Sequence, residues 1–488
     1  MGRPEGAARM TTNDLKSALS SAGQAHLWRH AESLPSPHRD AFVGRLLDLD
    51  WEAIPDLVAR YVTSAPPVAT HAGLQPAPYY PCDPESPQRP YDAARFRRAG
   101  ERLLAQGKVA AFVVAGGQGT RLGFDGPKGC FAATPVTGKP IFQVFAEQVL
   151  AAQRRHQRAV PWYIMTSPLN HDATVSFFRR HNSFGLSPAD VRFFQQGVMP
   201  TFELGTGRIL LAAPGVVATN PDGHGGSLRA LWDSGAVACM KSRGVEHLSY
   251  FQVDNPLVNV FDPLFIGLHA EAPDSSAQMS SKMIPKAGPG EKVGVFCRAP
   301  THRGPRTVVI EYSDLPAALA RETNPDGSLR FQAGSIAVHL LSVAFVERLN
   351  TDPAFALPYH RAEKKTPCID PETGSAINPT APNSVKLERF VFDALEFCGS
   401  SIVLETRRED EFAPIKNAAG VDSAESSRAL QSARAARWLA SAGVEVPLKD
   451  DGTPDCTLEI SPLTAASPTD LRGERLPTRI ERGASLAL

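Results

Sequence analysis

An α/β fold, with a mixed, mostly parallel sheet flanked by helices, is predicted from three features of the 488-residue chain. Strand-like apolar runs alternate with helix-like segments. Val109–Ala115, Pro161–Thr166, Val191–Gln195 and His247–Val253 read as strands, and Ile141–His156, Ala173–His181 and Gly226–Ser242 as the helices between them. Alternation at this spacing implies βαβ units. The first run is continuous and rich in Val, as in a strand buried on both faces. It ends in Gly116-Gly117-Gln118-Gly119, a turn with a bare backbone at a strand's carboxyl end, where ligands of such sheets sit.

The remaining elements follow in order. Residues 12–63 read as helices, with Leu15, Leu19 and Ala22 at helical spacing, and Ser36-Pro37 opening a segment that carries Phe42, Leu46 and Leu49. Eight prolines between Pro66 and Pro90 predict an extended connector. A charged helix over 95–106 leads into the first strand. Val293–Cys297, Thr307–Tyr312 and Ile402–Glu405 read as later strands, spaced irregularly enough to make the sheet mixed. An Ala-rich helix (Leu430, Ala433, Ala436, Ala440) and a β-like tail after Asp450 predict a small C-terminal domain. The expected organisation is a helical region with connector over 1–100, a main α/β domain over 101–417 and the small domain over 418–488.

Composition narrows the partners. The 51 basic and 51 acidic residues cancel, so neither nucleic acid nor an anionic membrane is expected as a general partner. Seven scattered cysteines without a C-x-x-C pair fit free thiols in a reducing, cytoplasmic setting rather than a disulfide framework or zinc site. No apolar run approaches the roughly 18 residues of a membrane helix. The N-terminus has no signal-peptide core, and residues 1–9 are expected to form a tail ahead of Met10.

The glycine turn carries the chemistry. Taken alone, it is also what a plain strand-to-helix turn would show. A dinucleotide fingerprint fails because Leu122 stands where its third glycine belongs, and a P-loop fails because Lys128 precedes Gly129 and Cys130. The pattern that fits is G-G-x-G-T-x-L, four residues, then Pro127-Lys128. Arg121 offers a planar fork for phosphate and Lys128 a point charge. Asp254, at the end of the His247–Val253 run, can reach a ligand crevice or cap the turn at Asn255-Pro256.

That glycine pattern resembles the nucleotide-binding signature of sugar-nucleotide pyrophosphorylases. PWYIMTS (161–167), FFQQG (193–197), PDGHGG (221–226), VDN (253–255), EYSD (311–314), KLERFVFD (386–393), REDEF (408–412), PIKN (414–417) and EISPL (459–463) follow in order. Together they resemble the eukaryotic-type UDP-N-acetylglucosamine pyrophosphorylases and the wider UDP-sugar pyrophosphorylase family, over nearly the whole chain. The resemblance implies a Rossmann-like nucleotidyltransferase core of the GT-A kind. It implies a uridylyltransferase joining UTP and a sugar 1-phosphate into a UDP-sugar and pyrophosphate, with magnesium or manganese as cofactor.

By that resemblance Arg121, Lys128 and Lys416 hold the phosphates, and Asp254 holds the metal. Ala115, Gly116, Gly117, Gly119, Thr120, Gln196, Gly223 and His224 are expected to bind the nucleotide; His224 stands where the N-acetylglucosamine enzymes usually show Asn. Gly294, Glu311, Ser335, Phe390 and Phe392 are expected on the sugar side. If 386–393 is extended, the two Phe share one face, which core packing would equally explain. Ser335 replaces the second Asn of the family's N-A-G-N element, so glucose or galactose 1-phosphate stays open as acceptor beside N-acetylglucosamine 1-phosphate. A catalytically silent nucleotide-sugar-binding protein is the reading from another class, and Arg121, Lys128, Asp254 and Lys416 speak against it.

Overall fold

Alternating burial along the first apolar run sets the sheet. In the computed structural model, Val109, Ala111, Val113 and Ala115 face one core together with Ile141, Phe142, Phe145 and Val149. Phe112 points the other way, with its ring 5.4 Å from Tyr250 and 5.9 Å from Phe194. The structure describes residues 10–64 and 73–488; the expected tail at 1–9 and the start of the proline-rich connector lie outside them.

Two compact units interleave along the chain, and each has its own core. The larger takes His71–Gln195, Leu231–Phe355 and Ala394–Leu488. Its main sheet has ten strands among the described residues. Val191–Gln195, Trp162–Thr166, Val109–Val114 and His247–Gln252 lie side by side and parallel. Ala333–Ser342 continues the sheet antiparallel to His247–Gln252, and it pairs with Met279–Pro285 and Val295–Thr301. The sheet is therefore mixed, as expected. Val109–Val114, Val191–Gln195 and the helix Ile141–His156 form close to the expected bounds.

Other bounds differ, for local reasons. The expected helix over 226–242 is two helices, Gly226–Asp233 and Ala236–Ser242, because Gly235 takes a left-handed φ of +69° between them. Met279–Pro285 and Ala333–Ser342 were not expected as strands, although the latter is ten residues long. The register of the parallel strands places Val114 opposite both Gln252 and Met165. Ala115 N–H then donates to Met165 O at 2.8 Å and Val253 N–H to Val114 O at 3.1 Å, so three strand ends share one edge.

Inside this unit Lys282 is fully buried, with its Nζ 2.8 Å from Asp262 and 2.5 Å from Glu411. The two carboxylates hold the ammonium charged against a burial that would discharge it. A C-terminal core of Ala436, Leu439, Leu458, Leu471 and Ile480 packs on the helix Ala424–Ser441, whose start Ser423 and Ser426 cap reciprocally.

The smaller unit takes the chain up to Thr70 with Gln196–Ala230 and Ala356–Asp393. Helices Thr12–Ser21, Ala25–Ser33 and Ser36–Leu47 bury Leu15, Leu19, Leu27, Phe42 and Leu46 against Phe202, Leu211, Val385 and Leu387. The strands His360–Lys364 and Ser384–Glu388 pair antiparallel, with His360 opposite Glu388. Among the described residues no helix is long and apolar enough to cross a membrane.

Candidate active site

The glycine loop of the larger unit is closed on itself by backbone bonds. Gly119 N–H donates to Gly126 O at 2.9 Å and Lys128 N–H to Gly117 O at 3.1 Å. Asn170 fastens it from the next strand end, with Nδ2 donating to the carbonyls of Ala115 at 2.9 Å and Gly117 at 3.2 Å. The N–H groups of Gly116, Gly117 and Gln118 donate to no acceptor among the described residues. A Cβ on Gly117 would meet only the Lys128 Cε, at 3.9 Å, so the loop's outer face admits another molecule's oxygen atoms to the backbone.

Charge gathers at the same edge. Lys128 Nζ lies 4.0 Å from Asp254 Oδ2, and both side chains are less than one-fifth exposed. Ile415 N–H donates to Asp254 O at 2.8 Å, which anchors the segment carrying Lys416 beside Asp254. Lys416 Nζ stands 4.0 Å from Asp422, and both partners are partly exposed. Arg121 and Thr120 are exposed on the short turn Thr120–Leu122, where Arg121 makes no ion pair among the described residues. Gly119 is forced by crowding instead: a Cβ there would lie 2.6 Å from the Phe124 ring.

Asp254 offers a hard oxygen ligand, and no group of three or more His, Cys, Asp or Glu among the described residues could hold a metal. A magnesium ion suits such a lone carboxylate when phosphate oxygens and water complete its shell. The residues present therefore fit a metal that arrives with a polyphosphate, not a pre-formed metal cage.

Gly294, Glu311 and Ser335 also come together in this unit. Ser335 N–H donates to Gly294 O at 2.8 Å. A Cβ on Gly294 would lie 3.3 Å from Glu311 Oε1, so the glycine makes room for that carboxylate. Lys286, which the sequence reading missed, is buried nearby with its Cγ 3.4 Å from a Cβ built on Gly334; burial holds its ammonium below the usual lysine range.

The smaller unit holds the other expected residues as a second cluster. Gln196 Nε2 donates to Asp222 Oδ1 and Gly223 O, both at 3.3 Å. Asp222 was missed as well. Burial pushes its carboxyl up to about 6, and Gly197 and Gly226 leave it space that a side chain would fill. Gly223 has φ +83°, and a Cβ there would strike the Arg389 carbonyl.

Phe390 and Phe392 do not share a strand face, because the condition for it, an extended 386–393, is not met. The strand ends at Glu388 and Val391–Phe397 is a 3-10 helix, because Arg389 is bonded to the glycine turn: its N–H donates to Asp222 O and its carbonyl accepts from Gly225 N–H, both at 2.8 Å. The two rings nonetheless lie 5.1 Å apart, and His224 stacks on Phe390 at 5.1 Å. His224 Nδ1 accepts the Val391 N–H at 3.1 Å, so its neutral ring carries the proton on Nε2. Burial holds its pKa down at about 4.

These features meet a known pattern. Residues 81–435 match the family described as UTP--glucose-1-phosphate uridylyltransferase. A Homo sapiens protein named UDP-N-acetylhexosamine pyrophosphorylase-like protein 1 is 36% identical over 482 residues, covering 93% of each chain. UDP-N-acetylglucosamine diphosphorylase 2 of Arabidopsis thaliana is 34% identical over 464 residues, covering 91% of this chain and 88% of the other. Among solved structures, the uridine diphosphate N-acetylglucosamine pyrophosphorylase of Trypanosoma brucei, in complex with inhibitor, superposes with a TM-score of 0.78. It is 25% identical and covers 98% of this chain and 99% of that one. The chain belongs to this family of uridylyltransferases.

Proposed function

We propose that the protein makes a UDP-sugar and pyrophosphate from UTP and a sugar 1-phosphate, with N-acetylglucosamine 1-phosphate the preferred acceptor. The observation that carries the reading is the carboxyl edge of the parallel strands, where open glycine N–H groups, Lys128 and Asp254 converge beside the Lys416 segment. The name of the 34% identical Arabidopsis relative supports this acceptor, and that of the 36% identical human relative supports an N-acetylhexosamine.

In the reaction a sugar-phosphate oxygen attacks the α-phosphorus of UTP in line, and the bond to the oxygen bridging to the β-phosphorus breaks. No protein nucleophile is needed; catalysis is alignment and charge stabilisation. Lys128, Arg121 and Lys416 bind the triphosphate and neutralise the departing pyrophosphate, and the glycine-loop N–H groups donate to its oxygens. Asp254 would hold magnesium, or manganese, which when bound screens the phosphate charge. In the larger unit Gly294, Glu311 and Ser335 receive the sugar. In the smaller, Gln196, Gly223 and His224 serve the base, and Phe390 and Phe392 supply apolar surface. A cytoplasmic setting is part of the proposal, supported by seven free cysteines.

The test is turnover of UTP with the 1-phosphates of N-acetylglucosamine, N-acetylgalactosamine, glucose and galactose. The highest kcat/KM is expected with N-acetylglucosamine 1-phosphate. No pyrophosphate release with any of them sinks the reading. For the metal, a thermal shift with UTP that magnesium enlarges in wild type but not in Asp254→Asn is expected; an identical enlargement in both places the ion elsewhere.

A further inference from the structure

His224 belongs to a larger pile of rings. Phe390 stacks against it with planes 12° apart, and His360 stacks against Phe390 at 4.2 Å and 22°. Phe392 closes on His224 at 5.6 Å. His360 Nε2 lies 2.7 Å from Asp393 Oδ2. That carboxylate is mostly buried, whereas the His360 side chain is 41% exposed. Asp393 N–H in turn donates to Phe390 O at 3.3 Å. One short turn thus supplies the ring that His360 touches, the N–H that fixes His224 and the carboxylate that holds His360.

We propose that His360 is a positioning residue for the ligand-binding rings: tied to Asp393, it clamps Phe390, and Phe390 fixes the plane of His224. This rests on the uridylyltransferase reading and deepens it. A Phe side chain can swing about two torsions, and each swing would carry away the surface on which His224 leans. A second ring, pinned at its edge by a buried acceptor, removes that freedom before ligand arrives, so less ordering is left to binding. His360 is placed for this by the sheet, because its register opposite Glu388, the last residue of the neighbouring strand, sets it beside the turn that follows with Phe390. The clamp also keeps the Val391 N–H aimed at His224 Nδ1, which leaves the Nε2 proton as the donor the ring can offer.

The experiment measures the Kd of UDP-N-acetylglucosamine by calorimetry on the full chain. The proteins are wild type, His360→Ala, His360→Gln, Phe390→Ala and the His360→Ala/Phe390→Ala double variant. Loss of one stacked pair predicts a Kd about threefold to tenfold weaker in His360→Ala. The same loss is expected in His360→Gln, which keeps a donor for Asp393 and lacks the ring. The rise in Kd should exceed any fall in kcat. In the Phe390→Ala background, removing His360 should cost nothing further, because His360 acts through that ring. An unchanged Kd in a folded His360 variant overturns the proposal. So do equal losses in the wild-type and Phe390→Ala backgrounds. If wild type fails to bind the UDP-sugar, the uridylyltransferase reading falls as well, which separates the two failures.

Discussion

A Cβ on Gly117 would find only the end of the Lys128 side chain, at 3.9 Å, whereas a Cβ on Gly225 would lie 2.6 Å from a backbone carbon of Phe390. Both residues sit in glycine-rich turns that look alike as strings. The first turn leaves the N–H groups of Gly116, Gly117 and Gln118 without an acceptor among the described residues and the space in front of Gly117 open. The second uses the missing side chain to let two stretches of backbone touch, Asp222–Gly226 against Glu388–Phe390. The first is surrounded by charge, with Lys128 and Asp254 at 4.0 Å. The second is surrounded by stacked rings and one buried acid. Glycine by itself therefore says that something comes close. Whether that something is ligand or chain is decided by what packs behind it.

The largest effect should come from the charged turn. Arg121→Ala and Lys128→Ala are each expected to lower kcat roughly 100- to 1,000-fold while leaving the melting temperature nearly unchanged. Near-normal kcat in either variant would break the assignment of that turn to phosphate.

The packed turn should respond in stability instead. Asp222 has its carboxyl raised to about 6 from 3.8 by burial. The fold favours its acid form, so the stability it contributes is whole below about pH 4 and is lost as pH rises through about 6. Asp222→Asn is expected to stabilise the protein by on the order of 2–3 kcal/mol at pH 8, a gain that fades toward pH 4. Parallel melting curves of both proteins at pH 4, 6 and 8 check this; a constant offset would show that Asp222 does not titrate in the fold.

Gly225→Ala should cost about 1–3 kcal/mol through overpacking, whereas Gly117→Ala should leave unfolding unchanged and weaken UTP binding. Equal melting points for the two variants would erase the contrast between the turns. The smallest effect concerns the sugar. Ser335→Asn is expected to raise the preference for N-acetylglucosamine over glucose 1-phosphate by about threefold to tenfold, the worth of one neutral hydrogen bond. An unmoved ratio of kcat/KM would mean that Ser335 does not meet the 2-substituent.

Much of the larger unit was legible because its parallel strands are buried on both faces and therefore read as unbroken apolar runs. Ala333–Ser342 escaped because Gly334, Ser335 and His339 interrupt its run. His339 is tolerated in the core through its Nδ1 contact with Ser281 at 2.8 Å, a partner 58 residues away. Met279–Pro285 escaped because Lys282 looks like a surface residue until Asp262 and Glu411 are brought to it. The glycine loop and Lys128 stand out by local spacing and Asp254 by its place at a strand end, and the structure sets the last two 4.0 Å apart. Asn170, Asp222 and Lys286 were not. Each acts through partners that only the fold supplies, and a lone Asn in a turn or Asp before a glycine carries no distinguishing pattern of its own.

The buried ion triad has a consequence for synthesis. Its members stand at positions 262, 282 and 411, so a growing chain presents the ammonium long before its second carboxylate exists. Until Glu411 leaves the ribosome, closing the core around Lys282 would strand it with one counter-charge, and the strand Val403–Glu405, which pairs with Met279–Pro285, is also missing. The larger unit should therefore complete its folding late, as one event after Glu411 has emerged. Ribosome-bound chains of increasing length should gain protease resistance in that unit only once residue 411 has emerged, and resistance in chains that stop short of it would show that Asp262 alone suffices.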